Sequence, residues 1–286
     1  MPKVFLATYC GYRNASQELS FSLLRSRELF RSLGNEAGFE VVIWDEERVC
    51  NELSQGDELV RDFTEDFFED CQNEQIRINP EWLKAGLFRW KPAIICHMLE
   101  HYLEDSDVLV YLDCNLEKFP RYREFISSGP CFFLRLLGKK SVVVFQDRFR
   151  RLGLDVKGIV LQSYLDDFRR HGAMLPGLWA GCIVFKKVNA ALLVARSWLD
   201  LCTVENLAPV PDVPKFQRLK QFKWHSQEQS MLSVLYHALR YQRKAGDVRL
   251  VVAPARRPML WRSPSSIYQG LRLKLLMRLC LLSNRV

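Results

Sequence analysis

The chain has 286 residues, 48% hydrophobic and 26% charged, which suits one large α/β domain or two small ones and lies outside the composition of disordered, fibrous or collagen-like chains. A mean hydropathy of −0.12 argues against a polytopic membrane protein. The formal charge of +8 is unevenly placed: twelve acids against Arg48 and Arg61 lie between Asp45 and Glu74, whereas from Lys215 onward fifteen Lys and Arg face only Glu228 and Asp247. A basic C-terminal third suits nucleic acid, an anionic membrane surface or phosphorylated ligands, and composition does not choose among them.

Residues 4–10 form a short apolar run rich in β-branched and aromatic side chains, which predicts a buried first strand rather than a signal peptide. Asn14 and Gln17 have the spacing of a capping box, Leu19, Leu23, Leu24, Phe30 and Leu33 recur near helical spacing, and Gly34 marks a stop. With a second strand over 39–44, the N-terminus is a β-α-β unit with a parallel sheet. The acidic stretch 45–75 keeps Phe63, Phe67 and Phe68 and reads as an amphipathic surface helix. A helix opened by Pro92 over 91–104 precedes an apolar strand over 107–113 that ends in a carboxylate. Strands are predicted over 130–137, 142–146, 181–186 and 248–252, and helices over 158–170, 189–202 and 226–242. Prolines 209, 211 and 214 mark a loop, and a basic apolar helix begins near Ile267. Nine cysteines without a C-x-x-C pair argue against a disulfide framework or structural zinc, and point to core thiols in a reducing, cytoplasmic compartment.

The end of the strand over 107–113 carries the first candidate chemistry. In open α/β sheets ligands bind beyond the carboxyl ends of strands, which is where Asp113 and Asn115 fall. Two oxygen ligands at that spacing suit Mg²⁺ or Mn²⁺ carrying a diphosphate; a strand-end Asp capping a turn is the plainer alternative. A competing motif is His97-Met98-Leu99-Glu100-His101, an H-x-x-E-H pattern that would bind zinc for hydrolysis if a third acidic ligand followed, although the apolar residues around it already explain a helix packed on a sheet. Phosphate-loop, dinucleotide and nucleophile-elbow motifs are missing from the sequence, which disfavours the corresponding enzymes.

Four segments occur in order: Phe88-Arg89-Trp90-Lys91-Pro92-Ala93-Ile94-Ile95, Asp107-Val108-Leu109-Val110-Tyr111-Leu112-Asp113, Trp179-Ala180-Gly181-Cys182-Ile183-Val184-Phe185-Lys186 and Trp224-His225-Ser226-Gln227-Glu228-Gln229-Ser230-Met231-Leu232. Through them the chain resembles bacterial and viral glycosyltransferases of the GT-A fold, from about residue 3 to 253. It departs in reading D-C-N for D-x-D and in placing Glu228 where the family has Asp. The resemblance implies a single α/β domain with a mostly parallel central sheet flanked by helices, a nucleotide-binding half over 1–115 and an acceptor-binding half over 116–253; a basic apolar tail over 254–286, read from its own composition, follows it. The resemblance also implies a UDP-sugar donor, a saccharide or glycolipid acceptor, and His225 as a further metal ligand, with a helix-capping or surface histidine as the plainer alternative.

Transfer from a nucleotide sugar needs metal, basic groups and a carboxylate to converge on a departing diphosphate and an oxocarbenium-like carbon. Arg25, Arg27, Arg89 and Lys91 are the candidate phosphate partners, each otherwise a solvated cation. Trp179 offers a stacking face and Gly181 room for close approach, or else they are ordinary core residues. Glu228 is the candidate general base, expected to be held ionised by its basic surroundings, or else a first-turn acid favoured by the helix dipole. The tail 254–286 carries too many bases to span a bilayer; an interfacial helix at an anionic membrane and a terminal core helix both fit it. It lacks the spaced aromatics of a single-stranded nucleic-acid platform, and a non-catalytic basic binding protein is the rival class.

Overall fold

A computed structural model describes residues 2–11, 21–53, 90–114, 116, 120–151, 175–202, 227–241 and 245–252. The predicted capping box, most of the acidic stretch, the helix over 158–170, the proline loop and the tail over 254–286 lie outside them, as do Arg89, Asn115 and His225.

The order is β1 (Val4–Tyr9), α1 (Phe21–Glu36), β2 (Glu40–Trp44), α2 (Glu46–Arg48) running into a π-turn over Val49–Leu53, α3 (Trp90–His97) with a π-turn over Met98–Tyr102, then β3 (Val108–Leu112). There follow α4 (Pro120–Ser127), α5 (Gly129–Leu137), β4 (Val142–Arg151), β5 (Pro176–Lys186), α6 (Asn189–Leu201), α7 (Gln227–Tyr241) and β6 (Val248–Val252). The six strands form one sheet in the order β2-β1-β3-β5-β4-β6. The sheet is mixed: β5 runs antiparallel to both β3 and β4, while the other pairings are parallel. The two sequence halves therefore join in a single sheet, through the β3–β5 pairing.

Continuous apolar strands are what a sheet covered on both faces requires. Along β3, Leu109 and Tyr111 belong to one core with Trp90, Ile94, Trp198 and Leu232; Val108, Val110 and Leu112 belong to the other with Phe30, Phe125 and Phe133. Helices α3, α6 and α7 thus cover one face and α1, α4 and α5 the other.

Two local expectations are corrected. Residues 130–137 form a helix and not a strand: Phe132, Phe133, Leu136 and Leu137 are buried at helical spacing, and Pro130 sits in the first turn, where its missing N–H costs nothing. Gly34 does not end α1, which continues to Glu36. A Cβ at Gly34 would lie 2.5 Å from the Val41 side chain, so this glycine lets helix and strand approach, and the left-handed turn falls to Gly38 at φ 85°. Among the described residues no helix is long and apolar enough to cross a membrane.

Candidate active site

Between Val144 and Phe145 of β4 the register against β5 jumps from Ile183 to Trp179, so residues 180–182 of β5 have no partner on that side. Such a bulge frees backbone groups from the ladder. Those of Ala180 are taken up by other elements, N donating to Gln229 Oε1 at 3.3 Å and O accepting from Lys91 Nζ at 3.3 Å, while Gly181 O continues the pairing with β3 by accepting from Asp113 N at 3.0 Å. Leu178 N donates to Ser233 Oγ at 2.8 Å, so α7 is tied to the start of β5 at two points one helical turn apart.

Lys91 is the centre of the site. It enters from the first turn of α3, is 3% exposed, and places Nζ 2.9 Å from Glu228 Oε1 and 3.1 Å from Asp113 Oδ1. Its ammonium also lies 5.7 Å from the Trp90 ring centre and 5.6 Å from that of Tyr111, with Trp90 stacked on Tyr9. Burial by itself opposes the lysine charge, but Asp113 and Glu228 outweigh it and raise its pKa above the ordinary lysine value. A buried cation between two carboxylates satisfies the requirement that interior charges be paired.

Glu228 sits in the first turn of α7, and its backbone carbonyl accepts from Trp198 Nε1 at 2.9 Å. Burial raises its pKa, Lys91 pulls it back, and Asp113 adds to the rise. Among the described residues the cation that answers Glu228 comes from the N-terminal half of the chain. Asp113 differs in being a third exposed, so its carboxylate spans the buried ammonium and the solvent side.

The remaining candidates are placed unequally. Lys91 is buried between its two carboxylates, so the alternative of a solvated cation does not hold for it. Arg27 pairs with Asp45 at 3.1 Å beyond the end of β2, and Arg25 is exposed on α1. Trp179 stacks on Tyr122 with ring centres 5.4 Å apart and 16° between planes. A Cβ at Gly181 would lie 2.5 Å from both Trp179 Nε1 and Tyr122 Oη, so the room left by this glycine is filled by the protein's own rings. Asp107, at the other end of β3, accepts from Lys3 N and Glu104 N and closes a turn. Tyr122, Trp198, Gln229 and Ser233 were not singled out from the sequence; only the helical spacing of Gln229 and Ser233 could have signalled two of them.

The H-x-x-E-H pattern is divided among other tasks. The His97 and His101 rings lie 4.7 Å apart, but His97 packs edge-on against Trp44, and Glu100 is turned to Arg196 at 2.6 Å. Among the described residues no group of three or more His, Cys, Asp or Glu side chains is arranged to hold a metal ion. Of the expected metal ligands Asp113, Asn115 and His225, only Asp113 lies among the described residues, and its carboxylate oxygen is of the kind a hard cation takes. No family model matches the chain, and no curated protein matches it in sequence.

Proposed function

We propose that the chain is a GT-A-type glycosyltransferase, moving a sugar from a nucleotide-sugar donor, a UDP-sugar by resemblance, to a saccharide or glycolipid acceptor. The observation that carries this is the meeting of Asp113, Glu228 and Lys91 at the carboxyl end of β3, three residues drawn from three of the four segments on which the resemblance rests. The α/β sheet covered on both faces agrees with it.

In this mechanism Asp113, with Asn115 and His225 from outside the described residues, would hold Mn²⁺ or Mg²⁺, whose charge helps neutralise the departing diphosphate. Lys91 holds Asp113 at the strand end through their 3.1 Å ion pair, and its ammonium adds positive potential beneath the phosphates. Glu228 takes the proton of the acceptor hydroxyl: burial raises its basicity while Lys91 keeps it charged until the proton arrives. Buried Trp198 beside Glu228, and Trp90 and Tyr111 beside Lys91, keep water from that pair, while Asp113 faces the solvent side. The basic tail 254–286 would hold the enzyme peripherally at an anionic cytoplasmic membrane surface where a lipid-linked acceptor resides.

The direct test is a screen of UDP-, GDP- and CMP-sugars with Mn²⁺ for slow donor hydrolysis in the absence of acceptor. Turnover of one donor class, dependent on metal and lost in Asp113→Ala, supports the proposal. Absence of both binding and turnover for every donor overturns it.

A further inference from the structure

Three polar side chains of α7 hydrogen-bond to alternate residues of β5. Gln229 Oε1 accepts from Ala180 N at 3.3 Å, Ser233 Oγ accepts from Leu178 N at 2.8 Å, and His237 Nε2 donates to Pro176 O at 2.8 Å, since a carbonyl oxygen can only accept. Residues four apart on a helix share one face and lie about 6 Å apart along its axis, and residues two apart on a strand lie about 6.7 Å apart, so the two periods stay in step over three rungs. Ser233 Oγ also donates to Gln229 O at 2.8 Å, which leaves its lone pairs for Leu178 N. Ser233 and His237 are both buried. The first rung reaches the ion pair: Ala180 O accepts from Lys91 Nζ, which lies 2.9 Å from Glu228 Oε1, and Glu228 is the chain neighbour of Gln229. The contacts from Gln229 to Ala180, Lys91 and Glu228 therefore close a ring through α7, β5 and α3.

We infer that Gln229, Ser233 and His237 are positioning residues that fix the register of α7 on β5 and thereby hold Glu228 against Lys91. Much of the remaining contact of α7 is apolar: Met231, Leu232, Val234 and Leu235 pack into the core on that face of the sheet, and apolar burial is non-directional. It holds the helix down without choosing its rotation or its height. The directional contacts are the three rungs, together with the bond from Trp198 Nε1 to Glu228 O. A slip of one residue turns the helix by about 100°, which carries Glu228 away from Lys91. The same slip strips Ala180 N, Leu178 N and Pro176 O of their partners, and unmade bonds at buried groups are costly. The effect of the ladder on turnover rests on the glycosyltransferase reading, in which Glu228 takes the acceptor proton. Its effect on Lys91 does not.

The experiment follows the Lys91 ammonium of the full-length protein by its proton–nitrogen correlation in nuclear magnetic resonance, a signal that survives exchange with water only when the ammonium is shielded. Lys91→Arg assigns it by its loss. Gln229→Met and Ser233→Ala each remove one acceptor, His237→Leu removes the donor, and His237→Gln returns an N–H to the place of Nε2. Val234→Ala, a core truncation on the same helix that takes part in no rung, controls for lost stability. The three rung-breaking variants should shift or broaden away the Lys91 signal, while His237→Gln and Val234→Ala retain it. A signal unchanged in the rung-breaking variants, one moved as far by Val234→Ala, or its absence from the wild type would each overturn the inference. Should one rung-breaking variant fail to fold, the other two decide. In a wild type that turns over a donor, Gln229→Met should lower kcat by about tenfold or more with donor KM within a few-fold. A wild type without turnover refutes the glycosyltransferase reading and leaves the Lys91 result standing.

Discussion

Lys91 and Glu228, 137 residues apart, form a buried ion pair with Nζ 2.9 Å from Oε1 and their side chains 3% and 9% exposed. Removing one member of such a pair leaves the other as an uncompensated interior charge, at a typical cost of about 3–5 kcal/mol. Lys91→Met should therefore destabilise strongly in urea denaturation, because it leaves two carboxylates facing each other. The double variant Lys91→Met with Glu228→Gln should recover part of the loss. A single variant within about 1 kcal/mol of wild type, the range of exposed ion pairs, would show that the pair is solvated in solution.

Asp113 is the exposed member of the triad, and Glu228 remains on Lys91 when it is removed. Asp113→Ala is expected to fold and to lose more than about tenfold in metal-dependent donor turnover, roughly 1.4 kcal/mol of barrier. Retained turnover would remove Asp113 from the proposed metal site.

Glu228→Gln keeps the shape of the side chain while removing its basicity. If Glu228 accepts the acceptor proton, kcat should fall while nucleotide affinity stays within a few-fold. Unchanged kcat with weakened affinity would reassign Glu228 to substrate binding.

Gly181→Ala tests the packing account of this glycine. The added methyl meets the Trp179 indole and the Tyr122 hydroxyl, and overpacking of this kind costs about 1–3 kcal/mol. The stacked rings should shift, changing the near-ultraviolet circular dichroism together with the melting temperature. A variant as stable as wild type with an unchanged aromatic signal would mean that the space is open.

His97 predicts a dependence of stability on pH. Burial, then the neighbouring His101 and to a smaller extent Arg48, hold its imidazole down to about 4 against an opposing pull from Glu52. Because the unfolded chain binds this proton near pH 6.5 and the folded chain does not, stability is full above that value and falls as pH drops from about 6.5 towards 4, by at most about 3 kcal/mol. His97→Gln should flatten that part of the urea-midpoint profile. An equal slope in the variant would assign the acid loss to other groups.

The strands were legible in the sequence because a sheet covered on both faces demands near-continuous apolar runs, and residues 4–10, 39–44, 107–113 and 248–252 are such runs bounded by turns. The same logic misread residues 130–137: eight residues of mostly apolar sequence satisfy a buried strand and a buried helix alike, and only the packing of Phe132, Phe133, Leu136 and Leu137 against the sheet separates them. Asp113 was visible because a carboxylate at the end of an apolar strand is a local event. Its partnership with Lys91 was not, since a lysine in a helix's first turn looks the same whether it meets solvent or two carboxylates. The reversed direction of β5, the bulge at residues 180–182 and the approach of α7 together decide which it meets. Those are long-range pairings, and no spacing within the chain encodes them. The residue types in the triad were thus determined by the sequence, whereas burial and mutual distance, which turn a surface cation into the buried counter-ion of Glu228, were decided only by the tertiary structure.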